Sequence, residues 1–139
     1  MTSASPEAAE HGPGEAPLVL IVDDDEMNRK LARDVLRAAG LRTLEAATGG
    51  QAIAVAATRV PDVILLDLRL PDMDGTEVVR ELNERASTSR IPVVALSALV
   101  LRAGRDALTE SGFDGALGKP IDVRAFPEQV RGYCRERPA

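Results

Sequence analysis

The sequence predicts an α/β protein: one doubly wound, five-stranded parallel sheet, strand order 2-1-3-4-5, with helices on both faces. Three observations predict it. Short apolar segments alternate with segments of helical period five times from Leu18 onward. Three of the apolar segments are continuous runs, the pattern of strands covered on both faces. The chain has 139 residues, 45% of them hydrophobic and 28% charged, which suits a single core.

In chain order, 18–22 (Leu-Val-Leu-Ile-Val) is the first strand, 63–66 (Val-Ile-Leu-Leu) the third and 93–96 (Val-Val-Ala-Leu) the fourth. Residues 42–46 (Arg-Thr-Leu-Glu-Ala) alternate, so the second strand lies nearer an edge, and 115–118 (Gly-Ala-Leu-Gly) is a short fifth strand placed mainly by order. Met27, Leu31, Val35 and Ala39 predict a first helix with one buried stripe. Ile53, Ala56, Ala57 and Val60 predict a second, and Val78, Val79, Leu82 and Ala86 a third. Ala103, Ala107, Leu108 and Ser111 suggest an Ala-rich fourth. Phe126, Val130, Tyr133 and Cys134 give a fifth, with Asp122 as its N-cap and Pro127 able to delay its start. Right-handed crossovers and five βα units leave few topologies, and 2-1-3-4-5 is the common one. It puts the switch point between strands 1 and 3.

Composition removes several function classes. Residues 1–17 carry three Glu, no Lys or Arg, three Pro and two Gly, and are expected to be a disordered acidic leader. The body, 18–136, is expected to be one domain with 137–139 as a tail. The leader accounts for −3 of the net charge of −5, so the body is close to neutral and any strong field in it must be local. With no basic cluster, direct nucleic-acid binding is not expected. No apolar run approaches the roughly 20 residues of a membrane helix and the N-terminus is too polar for a secretory signal, so a cytoplasmic protein is expected. The single Cys134 and single His11 exclude an internal disulfide, a zinc site and His-dependent nucleophile systems.

In open α/β sheets ligands bind outside the carboxyl ends of the strands. Strand 1 runs into Asp23-Asp24-Asp25, strand 3 into Asp67, strand 4 into Ser97 and strand 5 into Lys119-Pro120. Three carboxylates in one crevice repel one another unless a cation neutralises them, and oxygen ligands of this kind suit Mg²⁺. The chain uses Arg 15 times and Lys twice, so Lys119 answers a need for a compact ammonium rather than a planar fork. An Asp beside a metal, an ammonium and a hydroxyl has what an acyl phosphate requires. Each element also has an ordinary explanation. Asp23 to Asp25 precede a helix, Asp67 ends a strand, Asp72 and Asp74 sit in turn chemistry, and Cys134 is a small core hydrophobe. The specificity lies in the joint placement.

On these residues the chain resembles the receiver domain of bacterial two-component response regulators, which has a flavodoxin-like (βα)5 fold. The resemblance runs from Leu18 to about Cys134. It is carried by Leu-Ile-Val-Asp-Asp-Asp-Glu at 20–26, Asp-Leu-Arg-Leu-Pro-Asp-Met-Asp-Gly at 67–75, Pro-Val-Val-Ala-Leu-Ser-Ala at 92–98 and Lys-Pro-Ile at 119–121. It implies that Asp67 accepts a phosphoryl group from a histidine kinase or phosphotransfer protein. It further implies that Asp24, Asp67 and the backbone carbonyl of Arg69 hold Mg²⁺, with Asp23 acting largely through water. Ser97 and Lys119 would bind the phosphoryl oxygens, and Lys119-Pro120 would be a cis bond. The protein would then be a phosphoacceptor assisting its own phosphorylation and dephosphorylation rather than an enzyme. The match is nearest to stand-alone receivers that regulate histidine kinases. With no output domain after the fifth helix, output is expected through a protein partner at the 98–101 loop and the surface near strands 4 and 5. One departure is Ala116, where many receivers carry a switch aromatic.

A reading from another class is a Mg²⁺-dependent phosphohydrolase resembling the haloacid dehalogenase group, with Asp23 of Asp23-Asp24-Asp25 as nucleophile. Met27 stands where that motif usually has Thr or Val, the chain is short for such an enzyme, and Asp67 has no role in it. A third reading, a degenerate receiver used only for docking, sits poorly with every chemical position being filled.

Overall fold

A computed structural model describes residues 16–97 and 111–134. Five strands, β1 (Leu18–Val22), β2 (Arg42–Ala46), β3 (Val63–Asp67), β4 (Val93–Ser97) and β5 (Gly115–Gly118), form one sheet in the order β2-β1-β3-β4-β5. All four pairings are parallel. Four described helices follow in chain order: α1 (Glu26–Ala38), α2 (Gly49–Arg59), α3 (Gly75–Glu84) and α4 (Phe126–Tyr133). The helix expected over 103–111 and the 98–101 loop lie almost wholly outside the described residues, as do 1–15 of the leader and the 137–139 tail. The described chain starts two residues ahead of β1, where the Pro17 carbonyl accepts the Arg42 N–H at 2.9 Å.

Period-two alternation sends the two sides of each strand into different cores. Leu20, Val22, Ile64 and Leu66 pack with Ala52, Ile53 and Ala56 of α2 and Val78, Val79 and Leu82 of α3. Val19, Ile21, Val63 and Leu65 pack on the other side with Ala32 and Leu36 of α1 and Phe126 and Val130 of α4. Each fully buried Leu, Ile or Phe contributes about 1.5–3 kcal/mol, so both layers are anchored by several such residues. At the β5 edge, Gly115 leaves room for the Tyr133 ring, which occupies the space a Cβ would need.

Three expectations about helix faces need correction. Met27 is 72% exposed and Leu31 44% exposed, so neither belongs to the buried stripe of α1. A helix turns about 100° per residue, so a strict four-residue spacing drifts by about 40° at each step and leaves the face it started on. The residues that do face the core, Ala32, Val35, Leu36 and Ala39, follow the i, i+3, i+4, i+7 rule. Ala86 is exposed, because α3 stops at Glu84. Thr88 is buried instead, its hydroxyl donating to the Leu82 carbonyl at 2.6 Å. Asp122 caps the turn before α4 rather than α4 itself, accepting the N–H groups of Arg124 and Ala125. Pro127 follows the first helical residue, where its missing N–H costs nothing.

Candidate functional site

The sheet order places the carboxyl ends of β1 and β3 side by side. Val22 is in register with Leu66, so Asp23 and Asp67 sit at the same level, each one residue further on. Ser97 is in register with Gly118, just before Lys119. The result is a crevice of about 420 Å³ lined by Asp23, Asp24, Asp67, Arg69, Ser97 and Lys119, joined by Asp25 and Asn28. All six residues singled out from the sequence are thus brought together.

Lys119 is the centre of the cluster. Its Nζ donates to Asp23 Oδ2 at 2.8 Å and to Asp67 Oδ2 at 3.1 Å. Lys119 and Pro120 are joined by a cis peptide bond. Burial alone would lower the ammonium's pKa, but the hydrogen bonds and charges of the two carboxylates outweigh that and hold it above its ordinary value. Burial raises the pKa of Asp67, and the Asp23 charge adds to it. The Arg69 N–H, donating to Oδ1 at 3.0 Å, and Lys119 oppose the rise without cancelling it.

The two acids of the β1–α1 corner differ sharply. Asp23 is buried, 1% exposed, and both its oxygens are engaged: Oδ2 by Lys119 and Oδ1 by the Asp25 N–H at 2.9 Å. Asp24 is exposed and has neither hydrogen bond nor ion pair among the described residues. Asp25 is the α1 cap, accepting the Met27 N–H at 2.8 Å. Arg29, one turn into α1, donates to the Asp23 carbonyl at 2.8 Å, and Glu45 of β2 holds that guanidinium at 3.2 Å and Arg33 at 2.9 Å. The corner is therefore braced from the edge strand. Sequence reasoning missed this brace. Its only signal was an Arg one helical turn after a capping Asp.

Asp23, Asp24 and Asp67 each present an oxygen within 4.8 Å of the others. Three carboxylates face one ammonium, leaving net negative charge in the crevice, and Asp24 retains a free carboxylate to offer. This donor set fits a small hard cation.

Residues 19–131 match the response regulator receiver domain family. The chain belongs to that family. The polar-differentiation response regulator DivK of Brucella ovis is 35% identical over 115 residues, covering 83% of this chain and 94% of that one. Among solved structures, the receiver domain of the sensor histidine kinase PA1611 from Pseudomonas aeruginosa PAO1 superposes with a TM-score of 0.77. It shares 30% identity over 85% of this chain and 97% of that one, and carries a magnesium ion coordinated in its active site cleft. The chemotaxis response regulator CheY4 of Vibrio cholerae gives a TM-score of 0.74 at 26% identity, over 85% and 98% of the two chains.

Receiver membership leaves the phosphohydrolase reading without support. The geometry disfavours it too, since Asp23 is the most enclosed acid of the cluster and has no oxygen turned to solvent. Asp72 and Asp74, read from the sequence as turn residues, act on helix ends. Asp74 precedes α3 and donates its N–H to Glu77. Asp72 accepts from two N–H groups of α2, which hold its carboxyl below the usual range. Ala116 of this receiver is buried in the core shared with Phe113. Cys134 is half-buried and burial pushes its thiol up to about 11, so it stays a protonated core residue at neutral pH. Among the described residues no helix is long and apolar enough to cross a membrane.

Proposed function

We propose that this receiver takes a phosphoryl group on Asp67 from a phosphohistidine of a kinase or phosphotransfer protein, with Mg²⁺ bound, and signals through phosphorylation-dependent protein contact. The observation that carries this is Lys119 lying between the buried Asp23 and the more open Asp67. In transfer, an Asp67 carboxylate oxygen forms a bond to phosphorus while the phosphorus–nitrogen bond breaks, and the electron pair returns to the departing imidazole. Lys119 can release Asp67 Oδ2 and reach an oxygen of the incoming group without becoming unpaired, because Asp23 keeps its other contact. Ser97, buried at the end of β4, supplies a hydroxyl to another phosphoryl oxygen. Asp24, Asp67 and the Arg69 carbonyl would hold the metal, with Asp23 reaching it through water, since its oxygens are already occupied. The bound cation supplies charge neutralisation at the transferring phosphoryl oxygens. The protein thereby assists its own phosphorylation and dephosphorylation and acts on no other substrate. We place it in the cytoplasm, where kinases draw on ATP.

The reading is tested by incubating the protein with Mg²⁺ and acetyl phosphate, trapping the acyl phosphate with borohydride and mapping the modified residue. Asp67 is expected, and modification of Asp23 instead would overturn it. Asp24→Asn removes the one uncommitted carboxylate, so Mg²⁺ affinity measured by calorimetry is expected to fall about tenfold, equivalent to about 1.4 kcal/mol. An unchanged affinity would remove Asp24 from the ligand set.

The donor's approach is also marked. Met27 and Leu31, one turn apart on α1, are exposed, on the helix whose Asn28 lines the crevice. Leu31, Pro120 and Ile121 line an adjoining hollow of about 280 Å³ that reaches Lys119. We assign this apolar rim to the phosphodonor protein, whose imidazole must pass over it to reach Asp67. Leu31→Asp is expected to slow transfer from the phosphorylated donor at least tenfold while leaving labelling by acetyl phosphate unchanged. Equal slowing with both donors would reject the assignment.

A further inference from the structure

Asp72 makes a contact that the proposed chemistry does not use. Its Oδ1 accepts the Gly49 N–H at 2.8 Å and its Oδ2 the Gly50 N–H at 3.0 Å. These are the first two residues of α2, whose own N-cap, Thr48, serves the Gln51 N–H at 3.1 Å. One carboxylate thus satisfies two further orphan donors of a helix from which it is separated by more than twenty residues. Beside it, Met73 fills the space that a Cβ at Gly49 would occupy, so only glycine lets the loop settle this closely.

The loop that Asp72 fastens is the one that serves Asp67. Residues 68–75 close on themselves: Arg69 and Asp74 form an antiparallel bridge, and the Gly75 N–H donates to the Leu68 carbonyl at 3.1 Å. A Cβ at Gly75 would lie 3.0 Å from Leu68 Cα and 3.3 Å from the Asp67 carbonyl, so the loop's two ends are pressed together as well. Its root presents the Arg69 N–H to Asp67 Oδ1. Its tip is Asp72 and Met73 on α2. A closed loop held at both ends moves as a unit, and freeing the tip lets it pivot about the root that carries Arg69.

We propose that Asp72 is a positioning residue for the metal site: by strapping the loop tip to α2, it fixes the Arg69 carbonyl and N–H relative to Asp67. This rests on the metal site proposed above. Outer supports of metal ligands are where affinity is lost when they are removed, typically tenfold or more for direct hydrogen-bond partners. A strap acting three residues away is expected to matter less.

The test compares wild type with Asp72→Ala, Asp72→Asn and Thr88→Ala by calorimetric Mg²⁺ titration, thermal melting and acetyl phosphate labelling across Mg²⁺ concentrations. Thr88 is the control, because its hydrogen bond to Leu82 lies in the connection that leads into the amino end of β4, whereas the crevice lies at the carboxyl ends of the strands. Asp72→Ala is expected to weaken Mg²⁺ binding about three- to tenfold. Labelling should slow at low Mg²⁺ and recover at saturating Mg²⁺. Asp72→Asn keeps one acceptor oxygen and should fall between. Thr88→Ala should lower the melting temperature and leave Mg²⁺ affinity alone. If Asp72→Ala also melts earlier but binds Mg²⁺ as tightly as wild type, Asp72 is a helix cap and nothing more. A wild type that binds no Mg²⁺ would instead overturn the metal site itself, and the strap with it.

Discussion

Asp67→Asn is expected to abolish labelling by acetyl phosphate and by a phosphorylated donor protein while leaving a folded chain that melts slightly later than wild type. Loss of labelling follows because an amide oxygen is a poor nucleophile and its product would not be a stable acyl phosphate. The direction of the stability change follows from the raised pKa of Asp67. A carboxyl whose pKa is higher folded than unfolded is, once ionised, a cost to the folded state, and that cost is present at neutral pH. A neutral side chain removes it. Asn retains an acceptor for the Arg69 N–H, and Lys119 keeps Asp23. Loss of one carboxylate from a cluster of three should also weaken Mg²⁺ binding about tenfold. Intact mass after acetyl phosphate treatment, a thermal melt and a Mg²⁺ titration check the three parts. Residual labelling at wild-type level would move the acceptor elsewhere. An earlier melt would mean that the Asp67–Lys119 contact outweighs the cost of burying the Asp67 charge beside Asp23.

What the sequence reveals about this protein divides by the range of the interaction. The strands are legible because a parallel sheet covered on both faces needs unbroken apolar runs, and 18–22, 63–66 and 93–96 are such runs. The crevice is legible for the same reason. Once the strand order is known, whatever follows each run converges, which is how Asp23, Asp67, Ser97 and Lys119 meet. The α1 face was open to a count: Ala32, Val35, Leu36 and Ala39 fit helical spacing, whereas Met27 and Leu31 join the series only if a four-residue period is accepted. Asp72 is different in kind. Its turn composition explains a local role, and only the folded loop reveals that its partners are Gly49 and Gly50. The brace from Glu45 through Arg29 to the Asp23 carbonyl is likewise invisible until β2 is placed beside β1.

Lys119→Ala is expected to destabilise the metal-free protein and to raise its affinity for Mg²⁺, two effects with one cause. Removing one partner of a buried ion pair costs about 3–5 kcal/mol because the other charge is left uncompensated. Here Asp23 is almost fully buried but the Lys119 side chain is 22% exposed, so water entering the crevice recovers part of that, leaving about 2 kcal/mol. The same deletion changes the balance in the crevice from three carboxylates against one ammonium to three against none. A divalent cation then relieves more repulsion than it does in wild type, and Mg²⁺ should raise the melting temperature of the variant by more than that of wild type. Activation should move the opposite way. In the proposed transfer Lys119 gains a new partner when a phosphoryl group arrives, so its differential interaction with the two states would be lost in the variant. Beryllofluoride with Mg²⁺ is therefore expected to shift the amide spectrum of wild type and to leave that of Lys119→Ala largely unmoved, although the metal is bound. Weaker Mg²⁺ binding in the variant would mean that Lys119 organises the carboxylates rather than competing with the cation. A full spectral response would assign the coupling to Ser97 alone.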